Sequence, residues 1–547
     1  MKKILYLTAL SVLVLATASC SKSRAEQMAM ADGVRITCDP EVLQIVGDKV
    51  PATISVTYPK DYFHPEALMV VTPVLVYDGG TLTGESVIYQ GEGVKDNNRV
   101  VPADGGTITL NTVFDYVKGV ENCHLELRSV AFWGTSRIDI PAAKVADGCI
   151  ATGKLVNLSG LYNYKKDEYQ YVVHKTAEGR ILYDVNSSDV KGSEMRSQSI
   201  RELQAALGEI LEDDRYTVQG TQIVAYASPE GGQELNAKLS DDRASSAQKA
   251  WGSISKGLEA SGTEVRSIGQ DWEGFQEAVS TSNIEDKELI LRVLSMYSDP
   301  AVRESEIRNM SQIYTEINQK VFPELRRARF ITNLDYRNFS DEELKELSEQ
   351  AISMLDEEAL LKVAANTEDP DRKRQLYKHA EQAYGSERAK YNIAMISLDQ
   401  NEPSVAEYYL DRITNADPDI VNARGVAALK RGKNDVAYEL FQQAGTPEAK
   451  CNMGAIDIAR GDYAKAVEEL ADDTTSNKAL ALLLSGDIDA AGAALTSDDA
   501  TSDYLRAVIA ARKGDASGVK SNLDSACSKD ASLKERAATD IEFAKYR

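Results

Sequence analysis

The chain has 547 residues, with Lys+Arg 62 against Asp+Glu 85 and a formal net charge of −23. That balance excludes nucleic-acid binding: counterion release needs clustered Lys and Arg, and the runs Arg372-Lys373-Arg374 and Arg326-Arg327 with Arg329 are too short to track phosphates. With 4 His, 6 Cys and no Cys-x-x-Cys, a His/Cys zinc centre is not expected, and no cofactor is.

Length and an apolar content of 43% leave room for three or four packed cores. The acidity is diffuse: residues 341–547 carry 39 Asp+Glu and 26 Lys+Arg, net −13, which leaves −10 for residues 1–340. It reads as a solvated surface rather than a ligand site.

Residues 1–19 read as an export signal, with Lys2 and Lys3 ahead of the apolar run Ile4 to Ala16, too short to span a bilayer. Thr17-Ala18-Ser19-Cys20 follows and resembles the lipobox of bacterial lipoproteins, with Thr17 where the family usually has Leu. The resemblance implies acylation of Cys20, a tether over residues 20–32 and outer-membrane anchorage. The basic start Ser21-Lys22-Ser23-Arg24 favours the periplasmic face. Five further cysteines remain, and Cys123 and Cys149 fall in one β-rich region, where either a disulfide or two buried thiols fits.

Residues 33–175 are expected to form a β-sandwich-like domain. Val50, Ala52, Ile54, Val56 and Tyr58 alternate with small polar residues, as do Ile108, Leu110, Thr112, Phe114 and Tyr116. Leu68 to Tyr77 reads as a strand buried on both faces, with Pro73 near an edge or bulge. His124 shares the solvated face of Glu126 and Arg128. Tyr162, Tyr164, Tyr169 and Tyr171 flank the charged stretch Lys165 to Glu168 and suggest a hairpin, or a platform for sugar rings.

Residues 176–338 read as α/β. The strand Ile181 to Val185 precedes a helix over Ser199 to Leu211 whose stripe is Ile200, Leu203, Leu207 and Leu211. A strand from Thr217 to Tyr226 then runs through Ala227-Ser228-Pro229-Glu230-Gly231 into a helix opened by Asn236 and carrying Leu239, Ser240, Arg243 and Ala244. This spacing resembles the C-terminal domain of the OmpA family, together with Asp184-x-Asn186 and Arg326-Arg327-Ala328-Arg329-Phe330-Ile331. The resemblance implies binding of the diaminopimelate peptide of peptidoglycan by Arg243, with Ser228, Asn236, Asn186 and Arg327 shaping the site; a guanidinium fork suits the carboxylate. The family's Asp is Ser228 here. A hydroxyl does not offset the ligand's ammonium, which leaves Glu230, Asp241 or Asp242 to stand in. A helical insertion between Trp272 and Phe322 carries the stripe Ile307, Met310, Tyr314, Ile317 and Val321.

Residues 339–547 repeat. Turn residues Asn401, Gly432, Gly461, Gly486 and Gly514 recur at intervals of 31, 29, 25 and 28. A small residue lies seven before each (Ala394, Gly425, Gly454, Ala479, Ala507), Ala406, Ala437, Ala466, Ala491 or Val519 lies five after, and a large apolar one lies nine after (Leu410, Phe441, Leu470, Leu495, Leu523). The pattern resembles the tetratricopeptide repeat with shorter units, and the segment from Leu360 to Tyr384 reads as a further, less regular pair. The resemblance implies a helical solenoid that binds protein partners.

Catalytic patterns do not hold together: Gly91-Glu92-Gly93 lacks the third glycine of a dinucleotide site, and Ser253-x-x-Lys256 falls in a helix. The sequence therefore predicts a non-enzymatic, lipid-anchored envelope protein that touches peptidoglycan through its central domain and proteins through its repeats. A surface glycan-capture lipoprotein is the alternative.

Overall fold

The computed structural model describes residues 28–31, 33–258, 262–415 and 417–547. Cys20, with the signal and most of the tether, lies outside the described residues. No described helix is long and apolar enough to cross a membrane. The chain divides into two compact units: residues up to Lys165 together with Gly385–Arg547, and Lys166–Tyr384.

In the first unit, two sheets share one core. A three-stranded sheet is ordered Arg35–Asp39, Lys49–Tyr58, Gly106–Asp115, and Val50, Ile54, Ile108 and Phe114 face inward from it. The larger sheet is built around Leu68–Tyr77, Cys123–Trp133 and Ser136–Ile150, which supply Met69, Leu75, Leu125 and Leu127. Period-two alternation thus forms the expected β core. Pro73 is not at the edge of the sheet: it lies opposite Leu127, and on its other side the partner strands Gly80–Thr83 and Val87–Gln90 leave a gap. Its missing N–H falls where the ladder is interrupted, and its carbonyl accepts from Gly84 N at 2.9 Å. All five described cysteines are free thiols, Cys123 and Cys149 included.

The sheets end at Ile150, not near residue 175. The tyrosine hairpin does not form; residues 156–165 run as a single segment along the helices of the same unit.

Those helices come in antiparallel pairs: Glu387–Asp399 with Pro403–Leu410, Pro418–Lys430 with Asn434–Ala444, Pro447–Arg460 with Tyr463–Glu469, Ser476–Leu484 with Ile488–Ala494, and Ala500–Lys513 with Ala516–Lys529. Each expected turn residue has positive φ, from 57° at Asn401 to 96° at Gly486, the backbone that ends a helix and reverses the chain. At two of the turns the small and large anchors pack against each other within a pair. A Cβ on Gly425 would meet Phe441 Cε1 at 2.5 Å, and one on Gly454 would meet Leu470 Cγ at 2.5 Å. Glycine therefore lets the large side chain nine residues after the turn lie against the first helix of its own pair.

The second unit holds a four-stranded mixed sheet ordered Val172–Leu182, Arg327–Arg337, Tyr216–Ala227, Thr263–Gln270, with the last two strands parallel and Arg327–Arg337 antiparallel to both its neighbours. Its first strand starts at Val172 and stops at Leu182, earlier than the expected Ile181 to Val185. The helices Gln198–Glu212 and Gln233–Ile254 cover one face through Ile200, Leu203, Leu207, Ala247 and Trp251, the last stacked on Phe330 at 5.5 Å. The buried stripe ends on Ile210; Leu211 is 51% exposed. The insertion breaks at Met310 into Pro300–Asn309 and Ser311–Lys320, and with Phe275, Ile290 and Phe322 it forms a separate core. The helices Asp341–Gln350, Glu357–Ala365 and Pro370–Tyr384, expected to begin the repeats, belong to this unit.

Because Leu470 is fully buried and has nowhere to move, Gly454→Ile should lower the unfolding free energy of the first unit by about 2–3 kcal/mol through overpacking. Urea titration followed by circular dichroism checks this.

Candidate functional site

The residues expected to hold a wall peptide are brought to one end of the central sheet, but in a closed arrangement. Arg243, on the helix Gln233–Ile254, has no solvent exposure. Its Nε donates to Ser187 O at 3.0 Å, Nη1 to Tyr226 O at 3.0 Å and Nη2 to Asp184 O at 3.1 Å. Its guanidinium carbon lies 5.0 Å from the Tyr183 ring centroid. Burial lowers its pKa to about 10, so the ion stays charged at neutral pH and is solvated by main-chain carbonyls in place of water. The guanidinium thus ties the turn after Val172–Leu182 to the end of Tyr216–Ala227 and presents no open fork.

The remaining positions are paired in the same internal manner. Ser228, 3% exposed, donates to Glu230 Oε1 at 2.8 Å, and the same oxygen accepts from Arg326 Nε at 2.9 Å. Glu230, the first stand-in considered for the missing Asp, is thus engaged by a neighbouring arginine. Asp241 accepts from Ser267 Oγ, and Asp242 is exposed. Asn236 does not face a ligand: it is 4% exposed and its Nδ2 donates to Gly231 O at 2.7 Å, fixing the loop ahead of its helix. Arg327 pairs with the buried Asp271 at 2.9 Å beneath the Tyr226 ring. Burial raises the Asp271 pKa against the opposing pull of Arg327. Asn186 is exposed with φ 54°, a turn residue beside the carbonyls that hold Arg243. The expected residues are therefore assembled, yet each cation has an internal acceptor.

A second arrangement escaped the sequence reading. Four asparagines, one on the first helix of each of four consecutive pairs, grip the segment 157–165 by its main chain. Asn477 accepts from Asn157 N at 2.8 Å and donates to Asn157 O at 2.9 Å. Asn452 accepts from Leu161 N at 2.7 Å and donates to Leu161 O at 3.0 Å, and Asn422 donates to the same carbonyl at 2.9 Å. Asn392 accepts from Lys165 N at 2.8 Å and donates to Lys165 O at 2.9 Å. The segment runs antiparallel to the order of the repeats, and its length fits. Eight extended residues cover about 26 Å, and three helix-to-helix steps cover about 24–30 Å.

Side chains of the segment add an acidic rim. Tyr162 and Tyr164 both donate to Asp399, Asn163 donates to Glu448 at 2.6 Å, and Lys165 reaches Asp417 at 2.7 Å and Asp419. Gly160 has φ 83°, and a Cβ there would meet Val426 Cγ1 at 2.6 Å, so only glycine fits. The signal was present in the sequence: Asn392, Asn422, Asn452 and Asn477 recur at intervals of 30, 30 and 25, in step with the turns. Of the tyrosines that suggested a sugar platform, Tyr162 and Tyr164 donate to Asp399 and Tyr169 donates to Phe339 O at 2.9 Å, while Tyr171 is 46% exposed.

No protein-family model and no curated protein matches the chain. Among solved structures it is similar to a tetratricopeptide repeat protein from Parabacteroides merdae, at 14% identity and TM-score 0.30 over 37% of this chain and 91% of that one. It is also similar to the APC/C hetero-tetramer Cut9-Hcn1, at 13% and 0.32 over 48% and 58%, and to yeast Tom70, at 11% and 0.27 over 63% and 78%. At these scores the likeness carries no functional argument.

Arg243→Ala, which strips three carbonyls of their donor, should cost about 3 kcal/mol or more of stability. Asn186→Gly, which keeps the left-handed turn, should change it by less than about 0.5 kcal/mol. Urea unfolding of both variants tests whether Arg243 is a structural tie.

Proposed function

We propose that this is a lipid-anchored, non-enzymatic cell-envelope protein whose working part is its helical-repeat region, acting on other proteins. The observation that supports it is the asparagine row. Side-chain amides spaced once per helix pair are complementary to the main chain of an extended peptide, whatever its side chains. In this reading acylation of Cys20 holds the protein to the outer membrane, facing the periplasm.

Peptidoglycan binding through the central domain is not part of the proposal. With Arg243 committed to three carbonyls and Glu230 to Arg326, the domain keeps the residue spacing without an open carboxylate receptor. Glycan capture is the second reading, and what favours it is narrow: of the four tyrosines only Tyr171 is an exposed ring whose phenol is not spent on Asp399 or Phe339.

Two measurements check this reading. Radiolabelled palmitate should enter the wild-type protein and not Cys20→Ala, which should move from the membrane to the soluble fraction; equal labelling of both removes the anchor. In sedimentation with purified sacculi the protein should stay in the supernatant. Pelleting that is lost in Asp241→Asn with Asp242→Asn would restore the wall-binding reading through those acids.

A further inference from the structure

The groove that supports a protein-binding role is already full. Main-chain groups of Asn157, Leu161 and Lys165 occupy the asparagines that an incoming peptide would use. Two features distinguish this occupant from an ordinary piece of core. No residue from Gly153 to Lys165 is fully buried, and Asn157, Ser159 and Asn163 are exposed. Its grip combines partly buried apolar packing of Leu158, Leu161, Tyr162 and Tyr164 with main-chain hydrogen bonds that a competing main chain can replace one for one. The rim contacts, by contrast, are specific: Tyr162 and Tyr164 on Asp399, Asn163 on Glu448, and Lys165 between Asp417 and Asp419.

We infer that residues 157–165 are a cis-acting strap occupying a peptide-binding groove. The ligand class of that groove is an extended segment of a partner protein that carries a small residue opposite Val426, an aromatic hydroxyl two residues later and a basic residue five later, as in Gly160-Leu161-Tyr162-Asn163-Tyr164-Lys165. The acidic rim sets the charge of the partner: Asp399, Asp417, Asp419 and Glu448 all face the strap, and an acidic peptide is rejected by the same carboxylates that hold Lys165. The tethered strap competes at an effective concentration on the order of millimolar. A partner segment therefore gains the groove only by adding contacts beyond it or by binding when the strap is drawn away.

The inference rests on the protein-binding reading of the repeats, but its test involves neither membrane nor wall. Hydrogen exchange on the wild-type full chain reads the strap directly. The amides of Asn157, Leu161 and Lys165 should exchange through local opening, roughly a hundredfold faster than those of the helix Pro447–Arg460, which lies beneath Leu161. Exchange of the three in step with global unfolding overturns the inference, because the strap is then an inseparable part of the fold.

Anisotropy with a fluorescein-labelled peptide of residues 155–165 adds the second arm. The wild-type chain should show no saturable binding up to about 50 µM peptide, as expected for millimolar internal competition. Gly160→Val, which drives a Cβ into Val426 at a left-handed φ, should bind it saturably. In that background Asn422→Ala with Asn452→Ala should weaken binding at least tenfold. A Gly160→Val chain whose strap amides exchange rapidly but which leaves the peptide free also overturns the inference. Failure of the palmitate experiment would remove the envelope role alone.

Discussion

An extended segment that lies outside a sheet must still satisfy its main-chain N–H and C=O groups, and the path of residues 157–165 over the helices depends on how they do so. The answer is side-chain amides. An asparagine carries a carbonyl acceptor and two donors in the geometry of a peptide group, and Asn477, Asn452 with Asn422, and Asn392 pair the main chain at Asn157, Leu161 and Lys165, every fourth residue. The repeats supply these amides at a spacing set by helix packing, and the segment accepts them at a spacing set by strand rise. The agreement of these two lengths lets the segment lie along the helical pairs although 219 residues, Lys166–Tyr384, intervene in the chain.

The same economy of unpaired groups governs the central domain. A buried guanidinium needs acceptors in fixed positions, and Arg243 finds three carbonyls where the turn around Asn186 meets the end of a strand. Glu230, which could have faced a ligand's ammonium, is held instead by Arg326. Such arrangements are costly to break, since a buried charge is left without a partner. They also have a functional side: a site that satisfies itself offers little gain to a ligand presenting the same groups.

The diffuse charge of −23 gains a local meaning from the groove. Around the strap, Asp399, Asp417, Asp419 and Glu448 are concentrated against one lysine and two phenols, so that part of the acidic surface selects what lies in the groove. The central domain uses its acids differently: Glu230, Asp271 and Glu178 each pair with an arginine of Arg326, Arg327 and Arg329. One composition thus serves recognition in one unit and internal neutralisation in the other.

The sequence by itself determined what is local. Period-two runs became strands, the recurring Asn401 and glycines became left-handed turns, and the small residues before them became close helix contacts, because each depends on neighbours within about twenty residues. Finer points failed where a one-residue choice is set by packing, as with Ile210 in place of Leu211. Tertiary structure alone decided the rest. The spacing along the sequence puts Arg243 close to Ser228 and Asn236, but only the folded turn at Asp184–Ser187 shows its N–H groups already taken. The asparagines were legible as a period, yet their ligand lies 227 to 320 residues away in the chain. No periodicity encodes a contact of that range, because the strap's own pattern is that of any extended polar segment until the groove is there to read it.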